Sequence, residues 1–335
     1  MNHSKQAGMG IKTIVVLLVS WALTSAHLAD AQQRVYRVGV LLAGSPDVPE
    51  MKGLRDGVKE AGYIEGKNLI MDIPATEQSI DQLRSQAKEY IEKKVDVIVG
   101  IGATPLLIAK ELTQEVPLVF LGAADPVLSG LVKSVARPEA NVTGVARATD
   151  VEMQGKSLEV FKEAVPTLRR VTVLYNARGE NPAHAKNLAL LQKVAPNLGL
   201  KLTEKPVKST DDIDRVLFSV SKDSTDGLFV ICSGIFRDAF KKIAAVAIQK
   251  RLASIGCTPQ HVSEQEILLA YSANAYRIGH RGAWYVDRIL KGTKPQDLPV
   301  EAPTYFELVI NLKTAKQIGL TIPPNLLARA DKVIK

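Results

Sequence analysis

Val95-Asp-Val-Ile-Val-Gly-Ile-Gly-Ala-Thr-Pro-Leu-Leu-Ile-Ala-Lys-Glu-Leu112 runs from an almost unbroken apolar stretch through a loop of small residues into a segment opened by proline. An apolar run of this length, Val95 to Gly100, suits a strand buried on both faces. Pro105 is tolerated in a first helical turn, and Leu106 to Leu112 continues as a helix. A strand that passes through a short loop into a covering helix is the repeating unit of a parallel sheet.

The same unit recurs on either side. Strand-like runs rich in Val, Ile and Leu stand at Tyr36 to Leu42, Leu69 to Ile73, Pro117 to Leu121 and Val142 to Val145. Helices are expected at Met51 to Ala61, ended by Gly62, and at Asp81 to Lys93, where Leu83, Ala87, Tyr90 and Ile91 share a face. The second half repeats the rhythm. Its strands are Arg170 to Tyr175, Lys201 to Pro206, Gly227 to Cys232, Ala253 to Gly256 and Leu268 to Ser272. Its helices are Asn181 to Leu198, Thr210 to Val220 and Arg237 to Lys250, with Asp150 to Leu168 joining the halves.

The fold class expected is therefore α/β, two doubly wound parallel-sheet lobes joined by a multi-strand hinge. A helix over Ala275 to Lys291 follows, closed by Gly292; then Pro295, Pro299 and Pro303 stiffen a connection to a strand at Tyr305 to Asn311 and two short helices. The tail contains too few elements for a domain of its own, so it is expected to return across the hinge. The division is 32–146 with about 273–298 in the first lobe, and 147–272 with about 299–335 in the second lobe and hinge crossings.

Lys5 and Lys12 precede an apolar run from Ile14 to Ala26 and the small-residue pattern Ala29-Asp-Ala31. That is the form of a secretory signal peptide over 1–31, cut after about Ala31, which implies a periplasmic product. The apolar run is shorter than the roughly 20 residues needed to span a bilayer. The net charge of +8 is spread among 35 acidic residues. Nucleic-acid binding needs basic residues gathered into a stripe, and that partner is set aside. Cys232 and Cys257 end consecutive expected strands; a disulfide between them and two buried thiols are both compatible with the sequence.

In open α/β sheets ligands bind beyond the carboxyl ends of the strands. The loops there carry Ser45, Ala103, Thr104, Asp125, Asn176, Ser233 and Asn274, all small or polar. Thr104 either caps the helix opened by Pro105 or helps that helix N-terminus receive an anion. Asp125, before Pro126, either holds an ammonium or caps a turn. Ser45 and Ser233 can donate to a ligand; Asn176 and Asn274 can donate and accept. Tyr175 and Tyr271 close two strands, as core residues or as stacking surfaces.

Catalytic patterns are thin. Gly100-Ile-Gly102 lacks the third glycine of a dinucleotide fingerprint and follows the third strand, not the first. Ser85-Gln-Ala-Lys88 and Ser219-Val-Ser-Lys222 match a serine-x-x-lysine pattern without its companion motifs, and no G-x-S-x-G is present. His184, His261 and His280 are far apart, without metal-ligand spacing, and are read as surface groups. Asn141-Val-Thr143, a glycosylation pattern, overlaps a strand. No catalytic residue, cofactor or metal is expected.

The C-terminal run Pro303-Thr-Tyr-Phe-Glu-Leu-Val-Ile-Asn-Leu-Lys-Thr-Ala-Lys-Gln-Ile-Gly-Leu320 and Ile322-Pro-Pro-Asn325 resembles the ending of the bacterial ABC-transporter substrate-binding proteins that include tryptophan- and phenylalanine-binding receptors. Gly53-Leu-Arg-Asp-Gly57, Asp125-Pro-Val-Leu-Ser-Gly-Leu131, Asn141-Val-Thr-Gly144 and Tyr285-Val-Asp-Arg-Ile-Leu-Lys-Gly292 extend the resemblance over nearly the whole chain. It implies a type I periplasmic-binding fold with a ligand between the lobes. It further implies a monomer that hands its solute to an ABC permease, and family binding loops at Ser45, Ala103, Thr104, Asp125, Asn176 and Asn274. The sequence departs from the family at Cys232-Ser-Gly-Ile-Phe236 and Ser272-Ala-Asn274, both at the cleft, so an aromatic amino acid is not assumed. The expectation is a binding protein for a small polar ligand, an amino acid or related carboxylate. Its rivals are a receptor signalling to a membrane kinase and a secreted hydrolase.

Overall fold

The structure is a computed structural model that describes residues 34–335 apart from 44, 76–78, 139, 148–149, 179–181 and 237. The expected signal segment and its cut lie outside the described residues, as do Gly44, Asn181 and Arg237. No helix among the described residues is long and apolar enough to cross a membrane.

The first sheet comprises β1 (Tyr36–Leu41), β2 (Leu69–Asp72), β3 (Val97–Ile101), β4 (Leu118–Ala123) and β5 (Val142–Ala146), all parallel in the order β2-β1-β3-β4-β5. The helices α1 (Pro49–Glu60), α2 (Ile80–Glu92) and α3 (Thr104–Leu112) connect them. The period-two alternation of a strand sorts the apolar residues between its faces. Val38, Val40, Val97, Val99, Val119 and Leu121 enter one core with residues of α1, whereas Leu41, Ile98, Leu118 and Phe120 enter another with residues of α2 and α3. Burial on both faces is why these strands read as continuous apolar runs.

After β5 the chain crosses to α4 (Asp150–Ala164) and a second sheet. Its parallel strands are β6 (Arg170–Asn176), β7 (Lys201–Val207), β8 (Gly227–Val230), β9 (Ala253–Gly256) and β10 (Leu269–Ala273), interleaved with α5 (Pro182–Val194), α6 (Thr210–Ser219), α7 (Phe240–Gln249) and α8 (Pro259–Ser263). Expected and observed helices differ at two ends. The helix expected to reach Leu198 breaks into a 3₁₀ turn at Ala195–Leu198, because Pro196 has no N–H to continue the ladder. α7 starts at Phe240, later than the Arg237 expected, and a separate 3₁₀ turn at Gly234–Phe236 precedes it.

The chain then crosses back. Helix α9 (Ala275–Leu290) leaves β10 and packs on α1 and β4 of the first sheet. A third crossing, pinned where Val145 bridges Glu301, leads to β11 (Phe306–Asn311), α10 (Leu312–Gln317), α11 (Pro324–Ala328) and β12 (Lys332–Ile334). β11 pairs antiparallel with β10, and β12 pairs with β11, so the second sheet has seven strands in the order β12-β11-β10-β9-β8-β6-β7. α8 and β12 are too short to have left a periodic signal in the sequence.

The seat of α9 on α1 is made by missing side chains. A Cβ on Gly279 would stand 1.9 Å from the Glu50 carbonyl oxygen, and one on Gly53 would stand 2.0 Å from that of Tyr276. The two backbones touch directly. Around this contact the Tyr276 hydroxyl donates to Asp56 at 3.0 Å and the Tyr63 hydroxyl to Asp287 at 3.0 Å.

Candidate functional site

The carboxyl ends of both sheets carry the residues selected from the sequence. Ser45 follows β1, Ala103 and Thr104 follow β3, and Asp125 follows β4; Asn176 ends β6, Ser233 follows β8, Tyr271 lies in β10 and Asn274 follows it.

Local chemistry occupies several of them. Asp125 has a left-handed φ of 32°, and its Oδ1 accepts the Leu128 N–H at 2.9 Å, so its carboxylate caps a turn. Ser45 is exposed, with its Oγ accepting the Asp47 N–H at 3.2 Å. Thr104 does not cap α3. Gly102, at φ 83°, turns the chain so that helix geometry begins one residue early, leaving Ala103 at the cap position with no side chain to accept a bond. Asn176 donates to Ser233 Oγ at 3.0 Å and accepts the Arg178 N–H at 2.9 Å. Asn274 caps α9 by accepting the Arg277 N–H at 2.9 Å and donates to Glu307 at 3.2 Å. Burial, then the nearby Asp331 charge, raises the Glu307 carboxyl above its usual range. Asn141 spends its amide on the Thr113 and Val116 carbonyls, and Thr143 is fully buried in β5, so that glycosylation pattern is part of the sheet.

A cavity of about 60 Å³ opens at the carboxyl ends of β8, β9 and β10, with Arg147, Gln154, Cys232, Cys257, Tyr271 and Ser272 in its wall. Cys232 and Cys257 are joined as a disulfide, with Cα atoms 5.7 Å apart, tying the loops after neighbouring strands. Tyr271 stacks on Phe306 with centroids 5.9 Å apart. The Ser272 hydroxyl is buried with no partner among the described residues. Of the residues selected from sequence as ligand contacts, Tyr271 lines this cavity; Ser45, Ala103, Thr104 and Asp125 stand on the other sheet.

Three polar residues of this wall, Arg147, Gln154 and Ser157, went unremarked in the sequence. Arg147 stands one residue past β5, on the first crossing, and the carboxyl-end rule applies to it as to the rest. Its Nη2 lies 3.1 Å from Glu50, which is 5 % exposed in the first turn of α1. Gln154 and Ser157 lie on α4, the helix read from sequence only as the joint between the halves. A second groove, of about 550 Å³, lies where Asn274, Arg277, Arg281, Glu301 and Tyr305 meet at the later crossings. There Arg281 grips Glu301 through two bonds of 2.6 and 2.7 Å, which keeps the carboxylate below its usual range.

His261 is not the surface group expected. Its ring stacks on Phe240 with centroids 3.6 Å apart, and its Nδ1 accepts the Cys257 N–H at 3.0 Å. Burial, assisted by the Arg147 charge, lowers its pKa from 6.5 to about 4. The unfolded chain therefore binds a proton that the folded chain refuses, and stability falls as the pH drops from 6.5 toward 4. The loss is expected to reach roughly 3 kcal/mol at the acid end. Urea midpoints at pH 7.5, 5.5 and 4.0 measure it, with His261→Phe expected to flatten the profile over that window; an unchanged slope in the variant refutes the assignment.

Among the described residues no three His, Cys, Asp or Glu side chains gather to hold a metal ion. The arrangement offers hydrogen-bond donors, an aromatic ring and a guanidinium to a bound molecule. The sequence model of a family described as ABC transporter substrate binding protein matches residues 38–334. A tyrosine-binding protein of Clostridioides difficile strain R20291 is 23% identical over 269 residues, covering 80% of this chain and 76% of that protein. A solved conserved domain protein of Vibrio cholerae is 29% identical with a TM-score of 0.78, and the match covers 90% of this chain and all of that one. A solved ABC domain from Streptococcus pneumonia, in complex with L-Trp, is 23% identical with the same TM-score and coverage.

Proposed function

Since the chain belongs to the family of ABC transporter substrate-binding proteins, a family of binding proteins and not of enzymes, we propose that it is the exported receptor of an importer. It closes two lobes over a small polar solute, an amino acid or related carboxylate, and presents it to a membrane permease. The lobes are 32–146 with about 273–298, and 147–272 with about 299–335. The product is periplasmic and monomeric, with its signal segment removed.

One observation carries this reading: the cavity at the carboxyl ends of β8 to β10, walled by apolar side chains with a few polar groups among them, is also lined by Arg147 of the crossing segment. A ligand held there touches the second sheet and the hinge together, so its binding free energy is larger in a closed arrangement than in an open one. Ser45, Ala103, Thr104 and Asp125 complete the site from the first sheet, and Asn176, Ser233, Tyr271 and Asn274 from the second. Relatives named for tyrosine and crystallised with L-Trp put aromatic amino acids in the trial panel without deciding the ligand.

Calorimetry and thermal-shift measurements on the chain from Gln32 onward test the reading. The panel is amino acids, small carboxylates, nucleosides and sugars. At least one compound is expected to bind with a Kd of micromolar order and raise the Tm, as binding to the folded state requires. A panel in which nothing binds or stabilises sinks the proposal.

A further inference from the structure

The larger groove, at the later crossings, is built from the segments that join the two sheets. Val145 stands in β5 just before the first crossing, Asn274 on the second, and Glu301 to Tyr305 form the third, while the first two turns of α9 supply the rest of the wall. Its volume of about 550 Å³ lies within the range of about 300–1,000 Å³ usual for small-molecule pockets. The wall is accessible: Arg277, Ala302, Thr304 and Tyr305 are exposed, Tyr305 to 55 %, and Pro303 is half-buried. It shares no lining residue with the cavity at β8 to β10. Of the residues assigned to the ligand site above, Asn274 alone is in this wall, and its amide is engaged by the Arg277 N–H and by Glu307.

The paired charges of this wall cancel and one cation is left over. Arg281 holds Glu301 through two bonds, and the His280 ring meets Glu60 at 2.9 Å. Arg277 is engaged differently. Its guanidinium lies over the Tyr305 ring, 3.9 Å from the centroid. Stacking of this kind fixes the plane of the guanidinium and leaves its edge, which carries the five N–H donors, open to an acceptor. That fork matches a carboxylate in shape and charge. Tyr305, Pro303 and Ala302, in the same wall, offer reachable apolar surface to whatever the carboxylate is attached to. Apolar walls with a few placed polar groups are what small-molecule sites are made of.

We propose that this groove is a second binding site, separate from the cavity at β8 to β10, for a small organic monoanion. Its carboxylate is held by the edge of Arg277, and its apolar body lies on Tyr305, Pro303 and Ala302. One carboxylate balances the one guanidinium that Glu301 leaves uncompensated. The site goes beyond the binding role proposed above and does not depend on it. An occupant rests both on α9, which packs on the first sheet, and on the segment that enters β11 of the second, so it bears on the hinge.

Trp284 supplies a local reporter. It is the one tryptophan of residues 32–335, and Arg281 of the groove wall stacks on it at 4.0 Å. Fluorescence and calorimetric titrations of the chain from Gln32 onward use cyclohexanecarboxylate and hexanoate, which do not absorb where tryptophan is excited. Their primary amides serve as neutral twins, and acetate as a carboxylate without a body. At least one of the two acids is expected to bind about ten-fold or more tightly than its amide and than acetate, with a change in Trp284 emission. Arg277→Gln is expected to weaken that acid about ten-fold while leaving the amide unchanged, with partial recovery in Arg277→Lys. Tyr305→Ala is expected to weaken it several-fold, and Arg147→Gln, in the other cavity, to leave it unchanged. Thermal melts show whether each variant is folded, and for one that is not, the comparison of acid, amide and acetate on the unaltered chain decides. Acids that bind no better than their amides overturn the second site, as does an Arg277→Gln chain that keeps full affinity. So does binding abolished by Arg147→Gln, which would put the acid in the cavity at β8 to β10. Each of these results leaves the binding role of that cavity intact, and failure of the wider panel there leaves the groove to be judged by its own titrations.

Discussion

Gly279→Ala is expected to lower stability by about 3 kcal/mol or more, the upper range for overpacking. The added Cβ would stand 1.9 Å from the Glu50 carbonyl oxygen, a backbone atom that no rotamer change moves aside. Helices α1 and α9 must therefore separate, and the separation opens the core that holds Met51, Leu54, Ile278 and Val286. Gly155→Ala is the matched control. Its Cβ would meet Leu190 and Val194 at 3.6 Å, ordinary contact, and alanine is the better helix former by about 1 kcal/mol. Denaturant unfolding of the two variants should move in opposite directions. Equal midpoints would mean that α9 sits on α1 without needing the direct backbone contact.

Cys232→Ser with Cys257→Ser is expected to cost roughly 3 kcal/mol. The bridge spans 25 residues, and releasing a loop of that length returns about that much entropy to the unfolded chain. The same loss should appear on adding reductant to the unaltered protein and be absent when reductant is added to the double variant. Because the bridge joins two walls of the cavity, ligand affinity is expected to fall along with the Tm. A double variant that melts where the unaltered protein does would show that the loop ends are held by β8 and β9 alone.

Both effects arise from features of unequal visibility. The strands were readable because burial on two faces leaves few positions for polar residues; Val97 to Val99 and Leu118 to Leu121 look alike in sequence and pair as neighbours. The cysteines were visible, while their bond depended on β8 and β9 lying side by side. The positions after β1, β3, β4, β6, β8 and β10 followed from a rule about sheets, and the structure places each at a carboxyl end. What each side chain does there was not readable. Asp125 and Asn274 are engaged as caps, and Thr104 was displaced from its cap by the turn at Gly102. Arg147 escaped notice because a lone arginine in a basic chain carries no pattern.

By itself the sequence determined the α/β class, the order of the elements and the loops in which polar groups collect, since these depend on local propensity and on hydrophobic period. Only the tertiary structure decided which groups meet. Gly279 against Glu50, and Arg147 in one cavity wall with Ser272, are brought together by crossings between the sheets, and His261 meets Phe240 from the next helix of the second sheet. Such meetings join residues far apart in the chain, and no periodicity within one segment encodes what another segment brings to it.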